Sequence, residues 1–210
     1  LKNLFTKNRA LYLITDRIIS GLSLTEIAKQ AISAGIRLIQ LREKNMSRRE
    51  LYKEAISIRA LTMQYHITFI INDYVDIALT VNADGVHLGQ EDMPIKEVRK
   101  ILGKNKIIGI STHSLKQAID AQRSGADYIG FGPIFKTTTK DAGNPKGVKP
   151  LIEIKKHIKI PVVAIGGITV ENAFLALKAG ADAVAVVSGI LKGDIKGNTR
   201  KFLSIIRNVK

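Results

Sequence analysis

Gly125-Ala126-Asp127-Tyr128-Ile129-Gly130-Phe131-Gly132-Pro133 decides how the chain folds. A Gly-Ala-Asp turn opens a short apolar, β-rich run, and a Gly-Pro break closes it. The same turn recurs along the chain. Ala34-Gly35-Ile36 precedes Leu38-Ile39-Gln40-Leu41, Ala83-Asp84-Gly85 leads into Val86-His87-Leu88, and Gly180-Ala181-Asp182 precedes Ala183 to Val187. Each turn follows a helical pattern, so its glycine is expected where a helix end calls for a left-handed residue.

Working outward, eight strand candidates lie at 11–15, 38–42, 69–72, 85–88, 107–111, 128–131, 162–165 and 183–187. Helical patterns fall between and after them at about 23–34, 47–65, 74–81, 94–102, 114–124, 149–157, 170–179 and 198–209. Ser47 with Glu50 makes a capping box, and Pro94 and Pro150 stand at first turns. Alternation at roughly 26 residues per unit demands a parallel sheet with helices outside. The fold class is therefore α/β. Eight units point to a closed (β/α)8 barrel of the TIM type, with a doubly wound open sheet as the weaker option. No linker or low-complexity segment interrupts the pattern, so residues 1–210 read as a single domain.

Hydrophobic residues make up 45% of the chain and charged residues 24%, an ordinary globular composition. There is no cysteine, which excludes disulfides and Cys-based zinc sites. His66, His87, His113 and His157 are scattered without metal-ligand spacing. Leu1 to Arg9, broken by Lys2, Lys7 and Arg9, lacks the apolar core of a signal peptide, and no run suits a membrane span. A cytoplasmic protein with no membrane partner is expected. The net charge of +15 is spread along the chain and aromatics are only 5%, so no nucleic acid partner is expected either. Small anionic substrates suit such a field; a homo-oligomer is left open.

In a barrel of this kind the chemistry belongs to the loops after the carboxyl ends of the strands. Strand 2 ends in Gln40-Leu41-Arg42-Glu43-Lys44, where a period of two puts Gln40, Arg42 and Lys44 on one face and Leu41 on the other. An amide followed by two cations suits a ligand with a hydrogen-bonding ring and a phosphate. Asn72-Asp73 follows strand 3 and Gln90-Glu91-Asp92 follows strand 4, so Asp73 and Asp92 stand at neighbouring strand ends. They could meet around one hard cation such as Mg2+, or each could cap the helix that follows. His87, inside strand 4, reads as a hydrogen-bonded interior residue.

Strand 5 ends at Ser111-Thr112-His113, and strand 6 runs into Thr137-Thr138-Thr139-Lys140. Gly166-Gly167 after strand 7 and Val187-Ser188-Gly189 after strand 8 lie where such barrels bind a phosphate through backbone N–H groups. The mouth thus holds two anion sites, one of cations and a metal, one of amides, as for a diphosphate meeting a monophosphate. The connection from Gly132 to Gly147 is long for a strand–helix link and is expected to be a lid pivoting at Gly132, Gly143 and Gly147.

Taken together these residues resemble the thiamine phosphate synthase family. The motifs, in order, are Leu11-Tyr12-Leu13-Ile14-Thr15-Asp16, Gln-Leu-Arg-Glu-Lys from Gln40, Asn72-Asp73, His-Leu-Gly-Gln-Glu-Asp from His87, Gly109-x-Ser-Thr-His, Gly132-Pro-Ile-Phe-x-Thr-x-Thr-Lys, and Ile165-Gly-Gly-Ile. The resemblance implies joining of an aminomethylpyrimidine methyl diphosphate to a thiazole phosphate with release of pyrophosphate. It implies that Gln40, Leu41, Arg42, Glu43, Lys44, Asn72, Ser111 and Lys140 hold the pyrimidine diphosphate, with Arg42, Lys44, Ser111 and Lys140 acting on the leaving group. Asp73 and Asp92 would hold Mg2+. Thr137, Thr138, Thr139, Gly167, Val187 and Ser188 would hold the thiazole phosphate. Gly189 departs from the family, which often has alanine there, and a looser turn is expected. A thiazole tautomerase of the same barrel family and a non-catalytic phosphate-ligand binding protein are the alternative readings.

Overall fold

The computed structural model describes residues 9–137, 139 and 143–209. Eight strands run β1 Ala10–Ile14, β2 Leu38–Leu41, β3 Thr68–Asn72, β4 Gly85–Leu88, β5 Ile107–Thr112, β6 Tyr128–Phe131, β7 Val162–Ile165 and β8 Ala183–Val186. Every neighbouring pair is parallel, and β1 pairs with β8 as well as with β2. The sheet is closed into a barrel, so the open doubly wound alternative falls. The helices are α1 Arg17–Ser20, α2 Leu24–Ser33, α3 Arg48–Gln64, α4 Val75–Thr80, α5 Ile95–Leu102, α6 Leu115–Arg123, α7 Lys149–His157, α8 Ala173–Lys178, α9 Ser188–Leu191 and α10 Ile195–Asn208. Among the described residues no helix is long and apolar enough to cross a membrane.

Helix starts follow local chemistry. Ser47 and Glu50 form the expected capping box at α3, Pro94 stands immediately before the first residue of α5, and Pro150 lies in the first turn of α7. Four starts differ from expectation, among them α8, which begins at Ala173 rather than near 170, and the one-turn α9 from Ser188, which no pattern announced. Helix α10 begins at Ile195, three residues before the pattern suggests, because the Asp194 side chain accepts from the Gly197 amide at 3.0 Å. Its first turn carries Gly197 and Asn198, which read as breakers. The one-turn α1 is capped by Asp16 and closed by left-handed Gly21; no periodicity marks so short an element.

The Gly-Ala-Asp turns work largely as expected. Gly35, Gly125 and Gly180 are left-handed, with φ of 103°, 90° and 99°. The fourth turn is different: Asn82, at φ 53°, takes the left-handed position. Gly85 instead serves β4, where a Cβ would lie 2.2 Å from the Ile107 carbonyl oxygen. The aspartates do a second job. Asp84, Asp127 and Asp182 accept from the backbone amides of Phe69, Ile108 and Val162 at 2.8, 2.8 and 2.7 Å. Each also pairs with a cation from an outer helix, Arg59, Arg99 and Lys155 respectively. These carboxylates therefore tie β4, β6 and β8 to the preceding strands and the helix layer. Asp127→Ala is expected to lower stability by about 1.5–3 kcal/mol, because it leaves the Ile108 amide without its acceptor and removes the ion pair from Arg99, which keeps only its bonds to the Gly103, Lys106 and Gly125 carbonyls. Urea unfolding tests this against Asp120→Ala, an exposed change on α6 expected to stay within about 0.5 kcal/mol. Equal midpoints would remove the clamp.

Two apolar layers result. Leu41, Phe69, Val86, Ile129 and their like pack between strands and helices. Inside the barrel lie Tyr12, Ile14, Leu38, Ile70, Ile107, Tyr128, Val163, Ala183 and Ala185. Small residues make room for large ones: in the register Gly109 pairs with Tyr128, and Ala185 pairs with Tyr12.

Candidate active site

The mouth at the carboxyl ends of the strands holds two contiguous cavities. The inner one, about 360 Å³, is floored by Ile14, Ile165 and Ala185 and rimmed by polar groups that include Arg42, Ser111, Thr137, Thr139 and Ser188. The outer one, about 440 Å³, is lined by Asp16, Glu43, Lys44, Asn45 and Lys192. Arg42, Thr139 and Ser188 belong to both, so the two cavities adjoin.

The expected residues that are described take these places. Arg42 emerges from β2 with Nη1 3.8 Å from Asp16 Oδ2, and its backbone is fixed by the Thr15 hydroxyl. Lys44 is exposed at the outer cavity. Gln40 is buried, and its Nε2 donates to the Tyr12 hydroxyl at 2.8 Å. Leu41 faces the helix layer, as alternation demanded, so its side chain does not reach the cleft. Glu43 is buried and accepts from Arg17 Nε at 3.0 Å and the Asn45 amide at 2.7 Å, which makes it an organiser of the β2 loop. Asn72 ends β3 beside His87 in register. Thr137 Oγ1 accepts from the Thr139 amide at 3.3 Å. Thr138 and Lys140 lie outside the described residues.

Asp73 and Asp92 do come together. Their side chains are hydrogen-bonded, and the Asp73 carboxyl is pushed up to about 6, by burial first and then by the bond to Asp92 and the Asp92 charge. Lys44 and Arg42 pull the other way. The loops enforce this pairing. Asp73 is left-handed, at φ 63°, with its amide donating to the His87 carbonyl at 2.9 Å, while Asp92 Oδ2 accepts from the Gly89 amide at 2.6 Å. Neither aspartate caps the helix after it: α4 and α5 have no side-chain cap bond. Two carboxyl groups forced into contact, one kept protonated well above its ordinary range, form a donor set that a hard divalent cation fits. Among the described residues no group of three or more His, Cys, Asp or Glu is arranged for a metal, so the remaining positions of such an ion would fall to other oxygens.

The glycines after β7 are close-packed against the β6 loop. A Cβ on Gly166 would lie 2.6 Å from Pro133 Cα, and one on Gly167 would lie 2.3 Å from the Lys136 carbonyl oxygen. Backbone bonds from Ile134 to Ile165 (2.9 Å) and from Phe135 to Gly166 (3.0 Å) hold the two loops together. Lys146 and Gly147 donate back to Pro133 and Ile134, and Ile134 is fully buried. Gly132 is therefore no lid pivot. It is a point of close approach, where a Cβ would lie 2.1 Å from the Ile165 carbonyl oxygen. Nor is the Gly189 turn loose: a Cβ there would lie 2.8 Å from the Ile168 carbonyl oxygen and 3.2 Å from Phe202. Val187, with ψ of −89°, ends β8 one residue early and turns directly into α9.

Sequence reading missed several groups at the mouth. Asp16, His113, Pro133, Lys146 and Lys192 all line cavities. It also missed the barrel interior below them, where Tyr12 and Tyr128 meet through their hydroxyls at 2.9 Å.

Comparison with known proteins completes the assignment. A family model described as thiamine monophosphate synthase matches residues 11–190. The thiamine-phosphate synthase of Clostridium novyi is 50% identical over 201 residues, spanning 94% of this chain and 98% of that one. That of Methanosarcina mazei is 46% identical over 212 residues, spanning 100% of this chain and 88% of the other. The solved thiamine phosphate pyrophosphorylase of Pyrococcus furiosus superposes with a TM-score of 0.89 at 40% identity, covering 96% of each chain. With the match running through every strand end described above, the chain belongs to the thiamine monophosphate synthase family of enzymes.

Proposed function

We propose that the protein joins 4-amino-2-methyl-5-(diphosphooxymethyl)pyrimidine to thiazole phosphate, giving thiamine phosphate and pyrophosphate, with Mg2+ held by Asp73 and Asp92. The observation that carries this reading is the contact between those two carboxyl groups, one with its proton affinity raised, beside Arg42 and Lys44. Bound Mg2+ would supply positive charge to the departing diphosphate.

The chain's own residues do the rest. Arg42, Lys44 and the Ser111 hydroxyl stabilise charge as the bond between the exocyclic methylene and the diphosphate oxygen breaks; Lys140, outside the described residues, is assigned the same role. The ring's amino group releases electron density to the methylene cation, and the thiazole nitrogen attacks that carbon to form the new C–N bond. Thr137, Thr139, Gly167, Val187 and Ser188 hold the thiazole phosphate, with Thr138 assigned beside them. The apolar floor of Ile14, Ile165 and Ala185 keeps water from the cation. No step requires a protein nucleophile, so positioning and electrostatics carry the rate.

A coupled pyrophosphate assay with both substrates, with and without Mg2+, tests the whole reading. Release of pyrophosphate only with both substrates and the metal is the expected result. Isomerisation of the thiazole phosphate without pyrophosphate would identify a tautomerase, and binding with no turnover a non-catalytic binding protein; either outcome overturns the proposal.

A further inference from the structure

Below the cleft an unbroken hydrogen-bonded chain crosses the barrel interior. Gln40 Nε2 donates to the Tyr12 hydroxyl at 2.8 Å, and the Tyr12 and Tyr128 hydroxyls are 2.9 Å apart. Tyr128 Oη lies 2.9 Å from His87 Nδ1, and His87 Nε2 lies 2.9 Å from Ser111 Oγ. Its five residues come from five strands, β2, β1, β6, β4 and β5 in turn. Gln40, Tyr12 and Tyr128 are each only 1% exposed, so none trades these partners freely for water.

The interior is shaped around these rings. A Cβ on Gly109 would lie 2.0 Å from Tyr128 Cζ, and one on Gly130 would lie 3.3 Å from His87 Cε1. Two glycines on adjacent strands thus clear the space that two rings fill. The Tyr12 and Tyr128 rings meet edge to face with centroids 6.1 Å apart.

Counting donors gives the chain a direction. Each phenol has one hydrogen. Tyr12 already accepts from Gln40, so its own hydrogen goes to Tyr128; were Tyr128 the donor, Tyr12 would accept twice and its buried hydrogen would go unmatched. Tyr128, accepting from Tyr12, directs its hydrogen to His87 Nδ1, the better acceptor. His87 then carries its proton on Nε2 and donates to Ser111 Oγ. The Ser111 hydrogen is released to the cleft. Burial raises both phenols above their ordinary range, so both keep the hydrogens this count requires.

We infer that Tyr12, Tyr128 and His87 are positioning residues that hold Ser111 as a hydrogen-bond donor toward the leaving diphosphate. This inference rests on the pyrimidine diphosphate reading above. The same count leaves the Gln40 amide oxygen as an acceptor, the group an aminopyrimidine needs. One chain thereby matches a donor to the anionic end of the substrate and an acceptor to its amine, and a reversed chain would mismatch both.

The test reads the His87 tautomer directly, by 15N NMR on ligand-free protein labelled at histidine. His113 gives an internal reference of the opposite kind, because its Nδ1 faces the Gly132 carbonyl at 2.8 Å and must donate. His87 is expected in the Nε2–H form, and Tyr128→Phe is expected to abolish that preference. The variant should also lower kcat for pyrophosphate release about tenfold, roughly one hydrogen bond in the transition state, with KM for thiazole phosphate unchanged. Ser111→Ala should then cost much less in the Tyr128→Phe background than alone. Tyr12→Phe, one link further from Ser111, should act in the same direction more weakly, and it stands in if Tyr128→Phe fails to fold. An Nδ1–H His87 in the parent protein overturns the inference, as does additive loss in the double variant. Lack of pyrophosphate release by the parent would instead sink the catalytic reading, and the tautomer measurement would still decide the direction of the chain.

Discussion

Asp73→Asn or Asp92→Asn is expected to lower turnover by two or more orders of magnitude at saturating substrates while the barrel stays folded. Charge stabilisation of a leaving group by a bound cation amounts to several kcal/mol, and removing a carboxylate forfeits much of it. The replacements are gentle in every other respect. Asparagine tolerates the left-handed backbone of position 73, and at position 92 its amide oxygen can still accept from Gly89. Turnover measured across a Mg2+ titration checks this, and near-parental rates at limiting metal would show that the pair holds no catalytic ion.

The same substitution carries an opposite signature in stability. The Asp73 carboxyl titrates near 6 in the folded chain against an ordinary 3.8, so the metal-free native state binds the proton more tightly than the unfolded chain does. Stability from this group is therefore present below the ordinary value and is lost as pH rises toward 6. Above that, the folded protein carries the full penalty of two adjacent carboxylates. In chelator at neutral pH, Asp73→Asn should be more stable than the parent by on the order of 1 kcal/mol, a figure discounted for solvent around a half-buried group. The advantage should vanish near pH 4. Melting curves of the two proteins that run parallel from pH 4 to 8 would contradict it. A site that destabilises the empty protein and serves the reaction is the usual mark of a functional carboxylate pair.

Gly167→Val is expected to weaken thiazole phosphate binding by a hundredfold or more and to leave pyrimidine diphosphate binding much less affected. The residue is left-handed at φ 64°, and an added Cβ would lie 2.3 Å from the Lys136 carbonyl oxygen and 2.8 Å from the Phe135 carbonyl carbon. Those are backbone atoms of the loop that carries Thr137 and Thr139, and they cannot rotate away. The loop must move, and the Thr137 and Thr139 hydroxyls assigned to the proposed phosphate site move with it. The strain itself lowers stability by about 1–3 kcal/mol. Separate calorimetric titrations of the two ligands, on protein shown to be folded at the working temperature, check this. Equal losses for both ligands would mean that the two anion sites are one.

Local chemistry was enough for the frame. Gly-Ala-Asp turns, capping residues and alternating strands act over a few residues, so the eight strands and most helix starts were legible before any contact was known. The exceptions prove local too: α10 starts early because Asp194 caps over Gly197, and Asn82 replaces the expected glycine as the left-handed residue. The side of β2 that faces the cleft followed from the period of two, as did the outward turn of Leu41.

Tertiary structure alone decided what those residues do to one another. Asp73 and Asp92 were expected at neighbouring strand ends, but their mutual hydrogen bond and the raised Asp73 affinity depend on burial and on the bends of two loops. Gly167 read as an amide lining a phosphate; what the structure shows is the surface on which the β6 loop is seated. Tyr12 and Tyr128 are 116 residues apart and touch only because barrel closure and register bring the inner faces of β1 and β6 together. Alternation says which way a side chain points; what stands opposite it across a closed barrel is set by the register of every strand between, which no single stretch of sequence records.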